Sequence, residues 1–264
     1  MKTYDKIIKA SEKNKSRLCV GLDTDILKIP HFLRDVPGGM LLFNRSIIET
    51  TRDLVCAYKI NFAFYERYGR NGFDIIEKTI DAIPKDIVII ADAKRGDIGN
   101  TSKFYSTAIL DRFGADAITV NPYMGKDSVS PFLEEKEKMV FLLALTSNPG
   151  SADFQKLESE GKPIYRHVVE KSLTWADRAN LGYVVGATYP EELASIREIA
   201  KNNMLLIPGV GAQGGDIAAT MKANGNGPAI VNVSRGIIFA SDKVDFAEKA
   251  REKAKQYRDM IGGL

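Results

Sequence analysis

Three features of the 264-residue sequence predict a (β/α)8 barrel. Eight short apolar runs, rich in Val, Ile and Leu, recur along the chain. They are near-continuous rather than alternating, as in strands covered on both faces. Helical patterns separate them and polar or glycine-rich turns end them, which is the barrel's alternation at its usual length. A doubly wound sheet is the alternative. It usually has fewer strands and often a G-x-G-x-x-G after the first, which is absent here. Residues 1–264 are expected to form one domain, without repeats or a low-complexity tail.

The first 15 residues are expected to form an extra helix that closes the barrel bottom. The strands follow as R-L-C-V-G-L-D (17–23), L-V-C-A-Y-K-I-N (54–61), D-I-V-I-I-A-D (86–92) and D-A-I-T-V-N-P (116–122). The second half adds M-V-F-L-L-A-L-T (139–146), Y-V-V-G-A-T (183–188), L-L-I-P-G-V (205–210) and A-I-V-N-V-S (229–234). Between strands, 41–51 and 73–83 show the i, i+3, i+4 spacing of a half-buried helix. Residues 99–113 and 162–179 read similarly, and 242–260 is the last helix. The segment 190–200 opens with Pro and acidic residues, a helix-start signal. A long polar loop, 147–163, follows strand five, and such loops usually carry function.

Composition narrows the function classes. The chain is 44% hydrophobic and 27% charged, ordinary for a globular domain. A dispersed net charge of +3 gives no footprint for nucleic acid. No apolar run approaches the ~20 residues that span a bilayer, and the N-terminus lacks a signal-peptide apolar core. Cys19 and Cys56 lie inside apolar runs and fit no metal spacing, so they read as buried reduced thiols. A cytoplasmic protein is expected. His31 and His167 are the only histidines, which removes a His-rich metal site.

Residues at the C-terminal ends of barrel strands face the active-site mouth. Those ends carry Asp23, Lys59, Asn61, Asp92, Lys94, Thr146 and Ser147, with Asp97 just beyond strand three. Asp92 and Lys94 stand at i and i+2, so both enter one cavity. Lys59 of the neighbouring strand reaches it too, and the alternating charges would keep the carboxylates ionised. Two readings fit this pattern: a catalytic array, or a structural ion-pair network filling the mouth. P-G-V-G-A-Q-G-G-D (208–216), beside Ser234, Arg235 and Gly236, matches the barrel's phosphate site after strands seven and eight. Glycine N–H groups and a helix N-terminus favour an anion, and Arg235 adds a bidentate donor. The alternative is that Gly211, Gly214 and Gly215 only shape a tight turn.

The stretch D-A-K-R-G-D-I-G-N-T (92–101) resembles the D-x-K-x-x-D signature of the orotidine 5′-phosphate decarboxylase family. The resemblance extends in order to G-L-D (21–23), Y-K-I-N (58–61), T-S-N-P-G (146–150), P-G-V-G-A-Q-G-G-D (208–216) and S-R-G-I (234–237). Many members have G-R-S-I at the last segment, and the long loop after strand five resembles a longer subgroup. The resemblance implies decarboxylation of orotidine monophosphate to uridine monophosphate in pyrimidine biosynthesis, with no metal and no organic cofactor. It implies that Lys94 protonates C6 and that Asp92 lies beside the substrate carboxylate. Lys59 would neighbour Asp92 and the ribose, with Asn61 on the same strand end. Asp23 would bind a ribose hydroxyl, and Ser147 the pyrimidine. Gln213 and Arg235 would hold the phosphate, with a backbone N–H of Ser234. A homodimer is implied, with Asp97, Ile98 and Thr101 projecting into the partner's site. Three rivals differ. A sister sugar-phosphate decarboxylase would use magnesium and place a carboxylate where this chain has Lys59. The full set of Lys59, Asp92, Lys94 and Asp97 argues against a non-catalytic phosphometabolite-binding protein on a decayed barrel. Tryptophan-pathway and other phosphate-binding barrels share the glycine loop but would not need D-x-K-x-x-D.

Overall fold

The computed structural model describes residues 1–210 and 215–263. Eight parallel strands close into a barrel: β1 (Leu18–Gly21), β2 (Ala57–Asn61), β3 (Val88–Arg95), β4 (Ala117–Val120), β5 (Met139–Leu145), β6 (Leu181–Val185), β7 (Leu205–Pro208) and β8 (Ala229–Val233). Each pairs with its sequence neighbours, and β8 returns to β1. Helices lie between the strands, so both strand faces are covered. Ile90, Leu142 and Val231 are completely buried. Removing such a side chain from water stabilises the fold by roughly 1.5–3 kcal/mol.

The helix Thr3–Asn14 lies across the barrel bottom, as expected. Thr3 Oγ1 donates to the carbonyls of Asp116 and Glu137, just before β4 and β5. Lys6 pairs with Asp116 at 2.7 Å, and Asn14 Nδ2 donates to Val55 O at 2.7 Å, just before β2. Ile7 and Ala10 are buried. The bottom is thereby closed, which leaves the opposite, C-terminal end as the open mouth.

Several predicted segments shift. The helix read over 99–113 is α-helical only over Gly99–Ser106 and continues as a π-helical turn, Thr107–Arg112. The helix read over 162–179 is confined to Ile164–Ser172. The loop 147–163 holds a 3-10 turn, Pro149–Asp153, and a small hairpin pairing Glu158–Ser159 with Lys162–Pro163. Strand β2 starts at Ala57 rather than 54, and β3 runs on to Arg95 rather than ending at 92. Lys126–Leu133 had no sequence reading, nor did the short helices His31–Arg34, Ala63–Glu66 and Arg235–Ile238. The helix expected after the glycine loop is Ile217–Asn224, capped by Asp216, whose carboxylate accepts from the Ala219 N–H. No helix among the described residues is long and apolar enough to cross a membrane.

Candidate active site

Register places the charged side chains in two levels. Gly21, Lys59 and Ile90 stand at one height on β1, β2 and β3. Asn61 and Asp92 stand one inward position nearer the mouth. Lys59 therefore rises from below to meet the carboxylates above it. Its Nζ lies 3.1 Å from Asp23 Oδ1 and 3.1 Å from Asp92 Oδ2. The Lys59 side chain is 4% exposed, so its charge is compensated by protein and not by solvent. Lys94 Nζ lies 2.6 Å from Asp92 Oδ1 and stays 48% exposed, facing the cavity. Thr119 Oγ1, on β4, also donates to Asp92 Oδ1 at 3.0 Å. Asp92 thus accepts from two ammonium groups and a hydroxyl.

Burial alone would raise the Asp92 pKa, but Lys59 and Lys94 outweigh it and hold the carboxyl well below the usual range. Burial alone would lower that of Lys59, but Asp23 and Asp92 outweigh it and raise the ammonium above its usual range. A depressed carboxyl contributes stability above its unfolded pKa, about 3.9, and loses it as pH falls through the folded value. A raised lysine contributes below about 10.4 and loses it as pH rises through the folded value. Asp92→Asn should therefore lose stability that is constant through neutral pH. The deficit should shrink below about pH 4, where the unfolded wild-type Asp92 also becomes protonated. Urea denaturation across pH reads this directly.

Just after β8, Ser234 Oγ donates to Asp23 Oδ2 at 2.5 Å and to Gly21 O at 3.0 Å. A Cβ on Gly21 would fall 2.0 Å from that hydroxyl, so Gly21 is what admits Ser234 to Asp23. Asp23 is consequently fixed from both sides, by Lys59 and by Ser234. After β7, Gly215 N–H donates to Gly209 O, and a Cβ on Gly215 would fall 2.7 Å from the same oxygen. The glycine loop is closed at its ends by this backbone approach.

One cavity of about 410 Å³ gathers these groups. It is lined by Asp23, Lys59, Asn61, Asp92, Lys94, Ser147, Ser234 and Arg235, all expected from the sequence. Leu143, Val184 and Leu206 give it an apolar floor. Gln213 lies outside the described residues, together with Gly211 and Gly214. Asp97, Ile98 and Thr101 do not line the cavity of their own chain. The Asp97 carboxylate accepts from the Ile98 N–H at 2.8 Å, while Ile98 and Thr101 are exposed. Arg95 points away from the cavity and pairs with Glu66. Among the described residues, no three His, Cys, Asp or Glu side chains come together as a metal site.

Sequence reasoning missed Thr119, Asn232 and Gln155. Thr119 and Asn232 are inward residues on β4 and β8, and period-two counting from a known strand end would have found both. Gln155 folds back from the long loop, accepting from the Thr146 N–H at 2.8 Å. No local sequence signal marks that contact.

A barrel of the enzyme type is defined by this arrangement, with a buried lysine–aspartate array at the mouth of one cavity. Comparison with known proteins gives the family. Residues 16–250 match the model of the Orotidine 5′-phosphate decarboxylase / HUMPS family, and the chain belongs to it. It is 49% identical to orotidine 5′-phosphate decarboxylase of Dehalococcoides mccartyi over 269 aligned positions, covering 99% of this chain and 97% of that protein. It is 50% identical to the Flavobacterium johnsoniae protein of the same name, covering 96% and 94%. The structure of Leishmania donovani OMP decarboxylase superimposes with a TM-score of 0.87 at 35% identity, covering 99% and 98%.

Proposed function

We propose that this chain decarboxylates orotidine 5′-monophosphate to uridine 5′-monophosphate in pyrimidine biosynthesis, without metal or organic cofactor. The observation that carries the reading is the Lys59–Asp92–Lys94 array at the cavity mouth. Breaking the bond from C6 to the carboxylate leaves an electron pair on C6, and carbon dioxide departs. Lys94 stabilises that developing charge and then transfers a proton to C6, while its neutral amine regains a proton from solvent. Asp92 repels the reactant carboxylate more than neutral carbon dioxide, and with Lys59 it aims the Lys94 ammonium. Asp23 and Asn61 face the ribose, and Ser147 the pyrimidine. Arg235 and Ser234, with Gln213, hold the phosphate, whose binding energy serves the remote ring.

Two lysines flanking Asp92 disfavour a divalent cation there. This supports the nucleotide reading over a magnesium-dependent sugar-phosphate decarboxylase. Ultraviolet monitoring of orotidine monophosphate, with 3-keto-L-gulonate 6-phosphate as competitor substrate, separates them. Turnover of the sugar phosphate alone would overturn the assignment. Arg235→Ala is expected to lower kcat/KM for the nucleotide by roughly 10- to 100-fold, the scale of a lost charge-assisted bond. Orotidine, which lacks the phosphate, should react equally with both proteins. An equal loss on both substrates would show that Arg235 acts elsewhere.

Residues 1–264 are read as one barrel domain that works as a cytoplasmic homodimer. Free, buried thiols at Cys19 and Cys56 suit a reducing compartment. Ile98 (60% exposed), Phe104 (66%) and Tyr123 (85%) support a second copy docking beside Asp97. That contact would bring Asp97, Ile98 and Thr101 to the partner's site.

A further inference from the structure

Strand β3 passes β4 through a bulge. Ile90 and Ala91 pair with Ala117 and Ile118, and pairing resumes only at Arg95 with Val120. Asp92, Ala93 and Lys94 are thus opposed by the single residue Thr119. A bulge of this kind interrupts the ladder and re-aims side chains. Lys94 has φ 47, in the left-handed region, which costs a residue with a Cβ roughly 1 kcal/mol or more. Among the described residues, the other non-glycine cases are Lys15, at a helix C-cap, and Glu160, in the hairpin turn. Among the described non-glycine residues, Lys94 alone takes this conformation within a strand.

The bulge turns the Lys94 N–H toward Thr119, whose Oγ1 accepts it at 2.9 Å. The same hydroxyl donates its one proton to Asp92 Oδ1 at 3.0 Å. Thr119 is 1% exposed, so water does not take over either bond. One hydroxyl therefore ties the backbone of Lys94 to the carboxylate of Asp92. Oδ1 is also the oxygen that holds the Lys94 ammonium at 2.6 Å.

We propose that Thr119 is a positioning residue for the decarboxylation, fixing the strained Lys94 backbone and the Asp92 carboxylate so that the ammonium meets C6. This rests on the activity proposed above. Thr119→Val keeps the shape and loses the hydroxyl, whereas Thr119→Ser keeps the hydroxyl. Steady-state kinetics of both, with uridine monophosphate affinity by calorimetry, form the test. Thr119→Val should lose about 10- to 100-fold in kcat, the effect of a slight misplacement. Its uridine monophosphate affinity should stay within about threefold, and Thr119→Ser should recover kcat to within about threefold of wild type. A Val variant with wild-type kcat, or a Ser variant as impaired as Val, would overturn the proposal. Should the Val chain not fold, Thr119→Ala against Thr119→Ser gives the same one-oxygen comparison, and equal kcat values would overturn it. Wild-type protein that leaves orotidine monophosphate untouched would overturn the activity itself, and this role with it.

Discussion

Lys94→Ala is expected to abolish turnover while leaving the fold and nucleotide binding largely intact. In the proposed mechanism the lysine carries two duties, charge stabilisation at C6 and proton delivery. Losing one preorganised electrostatic donor costs about 100- to 1,000-fold, and losing a positioned acid costs about 100- to 10,000-fold. Together they place the loss in kcat at no less than about 10,000-fold. Stability should change little, because Lys94 is half exposed and Asp92 keeps Lys59 and Thr119 as partners. Single-turnover measurement, with calorimetry on uridine monophosphate, separates the chemistry from binding. Near-normal decarboxylation by this variant would sink the assignment.

Lys59→Met is expected to damage both stability and activity. Among the described residues, Lys59 is the one ammonium that touches both Asp23 and Asp92, and it is almost fully buried. Its removal leaves two carboxylates in a poorly solvated site. Breaking a buried pair from one side typically costs about 3–5 kcal/mol. The Asp92 carboxylate should then be aimed less firmly, because one of the two ammonium groups that hold it is gone. Adding Asp92→Asn to Lys59→Met should restore part of the stability, since it removes one of the two carboxylates that Lys59 compensates, but none of the activity. Urea denaturation and kinetics on the three variants check this. Recovery of activity by the double variant would mean that the array serves folding alone.

Much of this site was legible in the sequence for a simple geometric reason. Asp92 and Lys94 are two residues apart on a strand, Lys59 is on its neighbour, and a barrel sends such positions to one mouth. Asp23 and Arg235 followed from the same logic at other strand ends. Simple alternation nevertheless describes Lys94 incompletely. It reaches the cavity through a bulge and a left-handed backbone, and neither is written in D-A-K-R-G-D. Thr119 stands at an inward position that period-two counting finds, but its tie to the Lys94 N–H depends on the bulge, which belongs to the pairing of two strands. Gln155 was overlooked because its contact with Thr146 depends on how a long loop folds back. The π-helical turn after Ser106 escaped likewise, since apolar spacing registers a helical face and not the hydrogen-bond step beneath it. Asp97 shows the complementary limit. Its place in the sequence suggests the active site, but in its own chain it stands outside the cavity.

The most direct measurement is the rate of orotidine monophosphate loss, followed by ultraviolet absorbance, for enzyme freed of metals with a chelator and for untreated enzyme. Equal and substantial rates, with uridine monophosphate as the product, are expected. No turnover, or turnover abolished by the chelator and restored by magnesium, would contradict a decarboxylase that works through Lys59, Asp92 and Lys94 alone.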